Sequence, residues 1–182
     1  MKFLKQFTIL VASIVALVLI IALFVEKNYD VSRSVIIKKE KSEVFNYVKA
    51  LENHESFSIW QQKDPNIVQT FTGESGEVGS LYTWSSEMED VGSGEQEITS
   101  IEENEKIICE LRFKKPDEMI AESYMTTTSA EGNLETKLTW GIKGSSPYPF
   151  NFIMLFIDLD NEIGPDLQEG LNNLKILMES KD

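Results

Sequence analysis

The sequence has few of the residues that build covalent or metal-held frameworks. One cysteine, Cys109, among 182 residues excludes an intrachain disulfide in any compartment. One histidine, His54, leaves no His-rich or Cys-rich set that could hold zinc. There is no Gly-x-Ser-x-Gly elbow, and Gly73, Gly76, Gly79, Gly92 and Gly94 are placed as hairpin turns rather than as a phosphate loop. No loop has the spaced carboxylates of a calcium site, and Asp117 and Glu118, just after Pro116, read as a solvated turn. Neither a metal nor another cofactor is expected. Positive charge is scarce too: 17 Lys and Arg stand against 30 Asp and Glu, for a net charge of −13. Lys2 and Lys5 are the only charged residues before position 26, so the rest of the chain holds all the acidic ones. Such a surface repels phosphate backbones, which makes nucleic acid a poor partner, and otherwise serves solubility.

What is abundant comes first along the chain. From Phe7 to Val25, FTILVASIVALVLIIALFV runs 19 residues without a charge, close to the ~30 Å hydrocarbon core of a bilayer at ~1.5 Å per residue. The run is longer than a signal-peptide core, no small-x-small cleavage site follows it, and no cysteine near its end offers a lipidation site. It reads as a retained anchor. Lys2 and Lys5 before the run, against Glu26, Lys27 and Asp30 after it, place the N-terminus inside by the positive-inside rule. The expected location is an inner (cytoplasmic) membrane, crossed once, with the globular part on the periplasmic or extracellular side. Residues 1–30 are then anchor and tether, and residues 31–182 a single domain.

The domain opens with a β-branched strand, SRSVIIKK, and a helix EVFNYVKALEN with Ser42 as its expected N-cap. A second short helix, ESFSIWQQK, precedes the Asp64-Pro65-Asn66 turn. Six alternating segments follow: IVQTFTG, GSLYTWSSE, GEQEITSIEE, EKIICELRFKK, MIAESYMTTTSAE and NLETKLTWGIKG. In the fourth, Ile107, Cys109, Leu111 and Phe113 share a face; in the last, Leu134, Leu138, Trp140 and Ile142 do, as half-buried antiparallel strands require. A one-sided apolar sheet needs a cover. The final stretch, NEIGPDLQEGLNNLKILMES, supplies one, with Ile163, Leu167, Leu171 and Leu174 at helical spacing. Gly164-Pro165 is expected to be its bend or first turn, and Gly170 a point of close approach to the sheet or to a ligand.

This order of elements, with SEVFNYVKALENHESFSIW, GEVGSLYTWSS, LETKLTWGIKG and IDLDNEIGPDLQEGLNNLKILME in sequence, resembles the helix-grip superfamily of START domains, birch-pollen-type allergens and polyketide cyclase/dehydrase-like proteins. The resemblance implies an α+β fold in which a curved seven-stranded antiparallel sheet wraps a long C-terminal helix, with two short helices after the first strand. It also implies an apolar cavity between sheet and helix, but no single activity. The anchor is a departure from the basic fold and points to work beside a bilayer.

The expected cavity wall comprises Trp60, Tyr82, Trp84, Leu111, Phe113, Tyr124 and Trp140, then Leu167, Gly170 and Leu171 of the helix, with Phe152 and Phe156 at a mouth near Pro147–Phe150. Tyr and Trp bring polar handles into such a wall. His54, between Asn53 and Glu55, reads as a solvated or capping residue, and Cys109 as an inert part of the wall. The function that follows is binding of a hydrophobic or amphipathic small molecule, lipid-like, close to the membrane. The alternatives are a cyclase or dehydratase using Tyr82 or Tyr124 with a cavity carboxylate, and a protein-interaction domain with a filled core.

Overall fold

The computed structural model describes residues 2–130 and 134–180. Glu131 and Asn133, expected at the facing ends of the last two strands, lie outside them. Helix α1 (Lys2–Ala22) is followed by β1 (Asn28–Ile37), α2 (Lys41–Lys49), a 3-10 turn (Leu51–Ser56) and α3 (Ile59–Gln62). Then come β2 (Val68–Thr72), β3 (Leu81–Ser85), β4 (Ser93–Glu102), β5 (Lys106–Lys115), β6 (Met119–Ser129) and β7 (Thr136–Ser145). A second 3-10 turn (Phe150–Leu155) leads into α4 (Leu159–Glu179).

The seven strands form one antiparallel sheet in the order β1-β7-β6-β5-β4-β3-β2. Strands adjacent in sequence are paired throughout β2 to β7, as short hairpins dictate. Only β1 crosses, from one edge to the start of the other, and α2, the 3-10 turn and α3 fill that crossing. Their apolar residues Val44, Phe45, Val48, Leu51 and Phe57 are all buried and join the same core as Leu138 of β7 and Leu167, Leu171 and Leu174 of α4. The strand boundaries fall within a few residues of those expected. Strand β1 begins earlier, at Asn28, so the last three residues read as tether are strand. Leu134 precedes β7 and is exposed rather than sharing the inner face.

Helix boundaries differ more. Helix α2 starts at Lys41 with Glu40 at the cap position, so Ser42 lies inside its first turn. Helix α4 starts at Leu159, capped by the Asp158 side chain accepting from the Asn161 backbone N–H. Gly164 and Pro165 are therefore interior, and Pro165 leaves the Asn161 carbonyl without its helical donor. The reason for Gly164 lies in the partner strand. Arg33, on the inner face of β1, reaches under α4 and holds Asp160 with both guanidinium nitrogens, Nη1 to Oδ1 at 2.9 Å and Nη2 to Oδ2 at 2.8 Å. A Cβ on Gly164 would occupy the position of Arg33 Nη2. Toward its far end α4 is tied again, Lys175 Nζ donating to the Ile36 carbonyl at 2.9 Å and Glu179 accepting from the Lys38 backbone N–H at 2.8 Å.

Helix α1 spans 21 residues and is long and apolar enough to cross a membrane by length and composition, with none of its most apolar window buried. It begins at Lys2 and ends at Ala22, so the helix is shifted toward the N-terminus relative to the expected Phe7–Val25 limits.

Leu171 sits on the α4 stripe with no exposed surface. Leu171→Ala should lower the unfolding free energy by about 2–5 kcal/mol through lost burial and an unfilled cavity, read by denaturant unfolding of the solubilised chain. A loss below about 1 kcal/mol would show that the stripe does not hold the helix.

Candidate ligand cavity

Between the inner face of the sheet and the helical layer lies a cavity of about 240 Å³. Its floor is legible in the strand register. Tyr29 pairs with Gly144, Gly144 with Ala121, Ala121 with Leu111, Leu111 with Gln96, and Gln96 with Tyr82. These residues form one row straight across six strands, and because opposed residues share a face they all point inward. Every member except Gly144 lines the cavity. Gly144 is absent for a physical reason: a Cβ there would lie 2.5 Å from the Tyr29 hydroxyl, so the missing side chain lets the Tyr29 ring lie flat over the strand.

Two aromatic groups make the walls. On one side Tyr82 and Trp84 stack at 5.6 Å, Phe113 meets Trp84 edge-on at 5.7 Å, and Phe71 stacks behind Tyr82 at 5.0 Å, off the lining. Gly94 stands opposite Trp84 in β4, where a Cβ would come within 2.5 Å of the indole; it is a strand residue, not a turn. On the other side Trp140 is the hub, with Trp60 at 5.5 Å, Phe57 at 5.8 Å and His54 at 6.4 Å, all edge-on. Ile163 of α4 and Ile142 of β7 complete this side, while exposed Asp90 and Met119 stand at the rim.

The interior is polar at specific points and uncharged. Trp140 Nε1 donates to Ser123 Oγ at 3.1 Å. Burial, with a smaller contribution from the Glu55 charge, pushes the Tyr82 phenol well above its usual range, so it stays a neutral donor. The Gln61 side chain, on α3, is 8% exposed, and its Oε1 has no hydrogen-bond partner among the described residues. A buried, unpaired carbonyl costs about 1–3 kcal/mol, which makes Gln61 the group with most to gain from an incoming donor. Among the described residues Asp90 is the only carboxylate on the lining, and it lies at the rim. Among the described residues no cluster of His, Cys, Asp or Glu is placed to hold a metal.

Of the residues expected in the wall, Trp60, Tyr82, Trp84, Leu111, Phe113 and Trp140 do line the cavity. Six do not. Tyr124 is on the outer face: the inward set of β6 is Ala121, Ser123, Met125 and Thr127, and Tyr124 lies over Gly141 and donates to Asp30 Oδ1 at 2.8 Å. Leu167 and Leu171 are buried deeper, in packed core. Gly170 approaches the sheet rather than the cavity, since a Cβ there would lie 2.9 Å from Trp140 Cζ3. Phe152 lies in the 3-10 turn beside α1 and Phe156 just after it, with rings 6.5 Å apart, and no residue from 146 to 157 lines the cavity. Cys109 is buried one row inward, where desolvation pushes its thiol to about 11, as an inert position requires.

His54 corrects the expectation of a solvated turn residue. It is 4% exposed, and its Nε2 lies 2.7 Å from the Val48 carbonyl oxygen. A carbonyl only accepts, so Nε2 carries the hydrogen. Among the missed residues, Ser123, Gln96 and Ala121 are small or polar, so hydropathy gives them no inward signal and the strand register does; Gln61 and Ser58 are placed by the packing of α3.

Solved structures share the fold. A Mesorhizobium loti protein matches with a TM-score of 0.59 at 12% identity, over 85% of this chain and 99% of that one. The major latex-like protein 151 of Panax ginseng gives 0.59 at 12%, over 84% and 99%. Norcoclaurine synthase of Thalictrum flavum, solved in complex with dopamine and hydroxybenzaldehyde, gives 0.61 at 8%, over 85% and 88%. The chain has the helix-grip fold. No protein-family model and no curated protein sequence matches it, and at these identities the helix-grip likeness is one of architecture. Within the helix-grip frame, the Gln61 carboxamide, the Tyr29–Tyr82 row and the Trp140 hub are features of this chain's own residues.

Burial, opposed by the bond to Val48, lowers the His54 pKa below its ordinary value. The unfolded chain, whose histidine titrates near 6.5, then binds more protons, so stability is lost as pH falls below that value, by at most about 1.4 kcal/mol per unit. His54→Gln, which can still donate to Val48, should flatten the fall in Tm between about pH 7 and pH 5.5; an unchanged slope would exclude His54 as its source.

Proposed function

We propose that this chain binds a compact, uncharged, amphipathic small molecule in the cavity, beside a membrane that α1 crosses. The observation that carries the reading is the unpartnered Gln61 Oε1 on the lining of a largely apolar and aromatic chamber. Aromatic walls with a few placed polar groups are how small-molecule sites combine affinity with orientation. The norcoclaurine synthase match, solved with two small aromatic molecules, supports the reading by architecture alone.

Size narrows the ligand. At about 240 Å³ the chamber is below the ~300–1,000 Å³ range of pockets for drug-sized ligands, so a whole diacyl lipid does not fit. A lipid-like ligand here is an isoprenoid alcohol, a short acyl segment or a single ring system. Burying ~200 Å² of its apolar surface would contribute about 5 kcal/mol before ordering costs. The absence of an interior charge favours a hydroxyl-bearing neutral ligand, because an ion would lose its hydration without a counter-charge.

The chain's three tryptophans, Trp60, Trp84 and Trp140, all line the chamber, so intrinsic fluorescence reports occupancy directly. With the full chain in nanodiscs, geraniol should change tryptophan emission saturably. Ala121→Phe, which puts a ring into the floor, should weaken that response at least about tenfold. No saturable change, or an equal response from the variant, would count against the cavity as the site. Gln61→Leu should weaken geraniol about fivefold to tenfold, yet leave geranyl methyl ether, which lacks the donor, nearly unchanged; equal effects on both would remove Gln61 from ligand recognition.

For the membrane, α1 and the Lys2 and Lys5 flank support a single crossing with the N-terminus inside and the domain on the periplasmic or extracellular face. The cavity supports proximity as well. Most of its strand residues, and the rim residue Met119, lie toward the Asn28 and Ser145 end of the sheet, from which α1 departs.

A further inference from the structure

The connection between β7 and α4 is apolar and exposed where a soluble loop would be polar. From Ser145 to Ile157, SSPYPFNFIMLFI has no charged residue, and its Phe150, Leu155 and Phe156 face outward, Phe156 with 78% of its surface exposed. The one polar side chain in its centre, Asn151, is fully buried. Its Nδ2 donates to two carbonyls, that of Ala22, the last residue of α1, and that of Val25 just beyond it, both at 2.8 Å. Next to it, the Ser146 backbone N–H donates to the Lys27 carbonyl at 2.8 Å.

These bonds set the depth of the segment. At ~1.5 Å per residue the 21 residues of α1 cover roughly 31 Å, the thickness of a hydrocarbon core. With Lys2 at one boundary, Ala22 stands at the other. Asn151 is hydrogen-bonded to Ala22, and Phe156 follows five residues on in a 3-10 turn that rises ~2 Å per residue. The whole turn is therefore held within about 10 Å of the hydrocarbon boundary, the depth at which interfacial apolar faces bury. Phe24, 85% exposed on the chain leaving α1, extends the same surface.

We infer that Phe150–Ile157 is a second membrane contact, an apolar wedge seated in the interface of the bilayer that α1 crosses, and that Asn151 locks it to the anchor. The domain is thus held at a fixed attitude instead of swinging on a tether. A bilayer is the occupant because the surface is uncharged, continuous with the anchor, and set at interfacial depth by hydrogen bonds. The inference rests on α1 crossing the membrane and is independent of what the cavity binds.

Nitroxide labels separate the two. In the full chain with Cys109→Ala, reconstituted into vesicles of phosphatidylcholine with one-fifth phosphatidylglycerol, single cysteines at Leu17, Phe156 and Val78 report mid-span, wedge and an exposed loop. The ratio of collision with oxygen to collision with a water-soluble nickel chelate should be highest at Leu17 and, at Phe156, at least about threefold above Val78. Adding Asn151→Ala to the Phe156 label should bring its ratio toward that of Val78 and leave Leu17 unchanged. A Phe156 ratio equal to Val78, with Leu17 in lipid, overturns the wedge while the anchor stands. A water-exposed Leu17 overturns the anchor and the wedge together.

Discussion

The contact that the rest of the molecule depends on is the one between α4 and the inner face of the sheet, made close at Gly164 against Arg33 of β1 and at Gly170 against Trp140 of β7. A seven-stranded sheet with one apolar face is stable only when that face is covered. Leu167, Leu171, Leu174 and Met178 provide the cover along one side of α4. Arg33 and Lys175 hold the helix near its ends through Asp160 and the Ile36 carbonyl. At Gly170 the Trp140 ring lies against the helix and forms one wall of the cavity. Beyond it the core is filled by Leu138, Leu171 and Leu174; on its near side, toward Asn28, the interior is left open.

That open region follows from the choice of small and polar residues on the inward row, where larger ones would have filled it. Ala121, Ser123 and Gln96 stand where Val, Leu or Phe would close the sheet onto α3, and the aromatic rings are parked at the sides over Gly94 and Gly144. A filled core, one of the readings open from sequence, is thereby set aside. A carboxylate inside the chamber, the feature that would favour acid catalysis, is not found among the described residues, where Asp90 is at the rim. Tyr82 keeps its proton because burial disfavours the phenolate.

Helix α1 and the domain form a joint rather than two parts on a string. Strand β1 starts six residues after α1 ends, and Asn151, far along the chain, caps the carbonyls that the end of α1 would leave unpaired. The cavity's rim lies at the same end of the sheet. The proposed ligand and the proposed membrane crossing are therefore compatible: both place the chamber's opening at the α1 end of the domain.

The order of elements, the number of strands and the covering role of the last helix were legible in the sequence, because period-2 and period-3.6 patterns report which face is buried and hydropathy reports it strongly for Ile107, Leu111, Leu138 and Leu171. The site was legible by half. Trp60, Tyr82, Trp84 and Trp140 were found because large aromatics on an inward face are conspicuous. Tyr124 was misplaced because β6 carries Ala and Ser on its inward face and an aromatic outside, so hydropathy pointed the wrong way and only pairing with β5 and β7 settles the parity. Phe152 and Phe156 were read as a cavity mouth, yet they lie beside α1, through a hydrogen bond spanning over a hundred residues. The sequence by itself determined the architecture and the long apolar helix, since both rest on local periodicity and length. Only the tertiary structure decided where the interior is left unfilled and which carboxamide in it goes unpaired, because a void is a difference in packing between residues far apart in the chain.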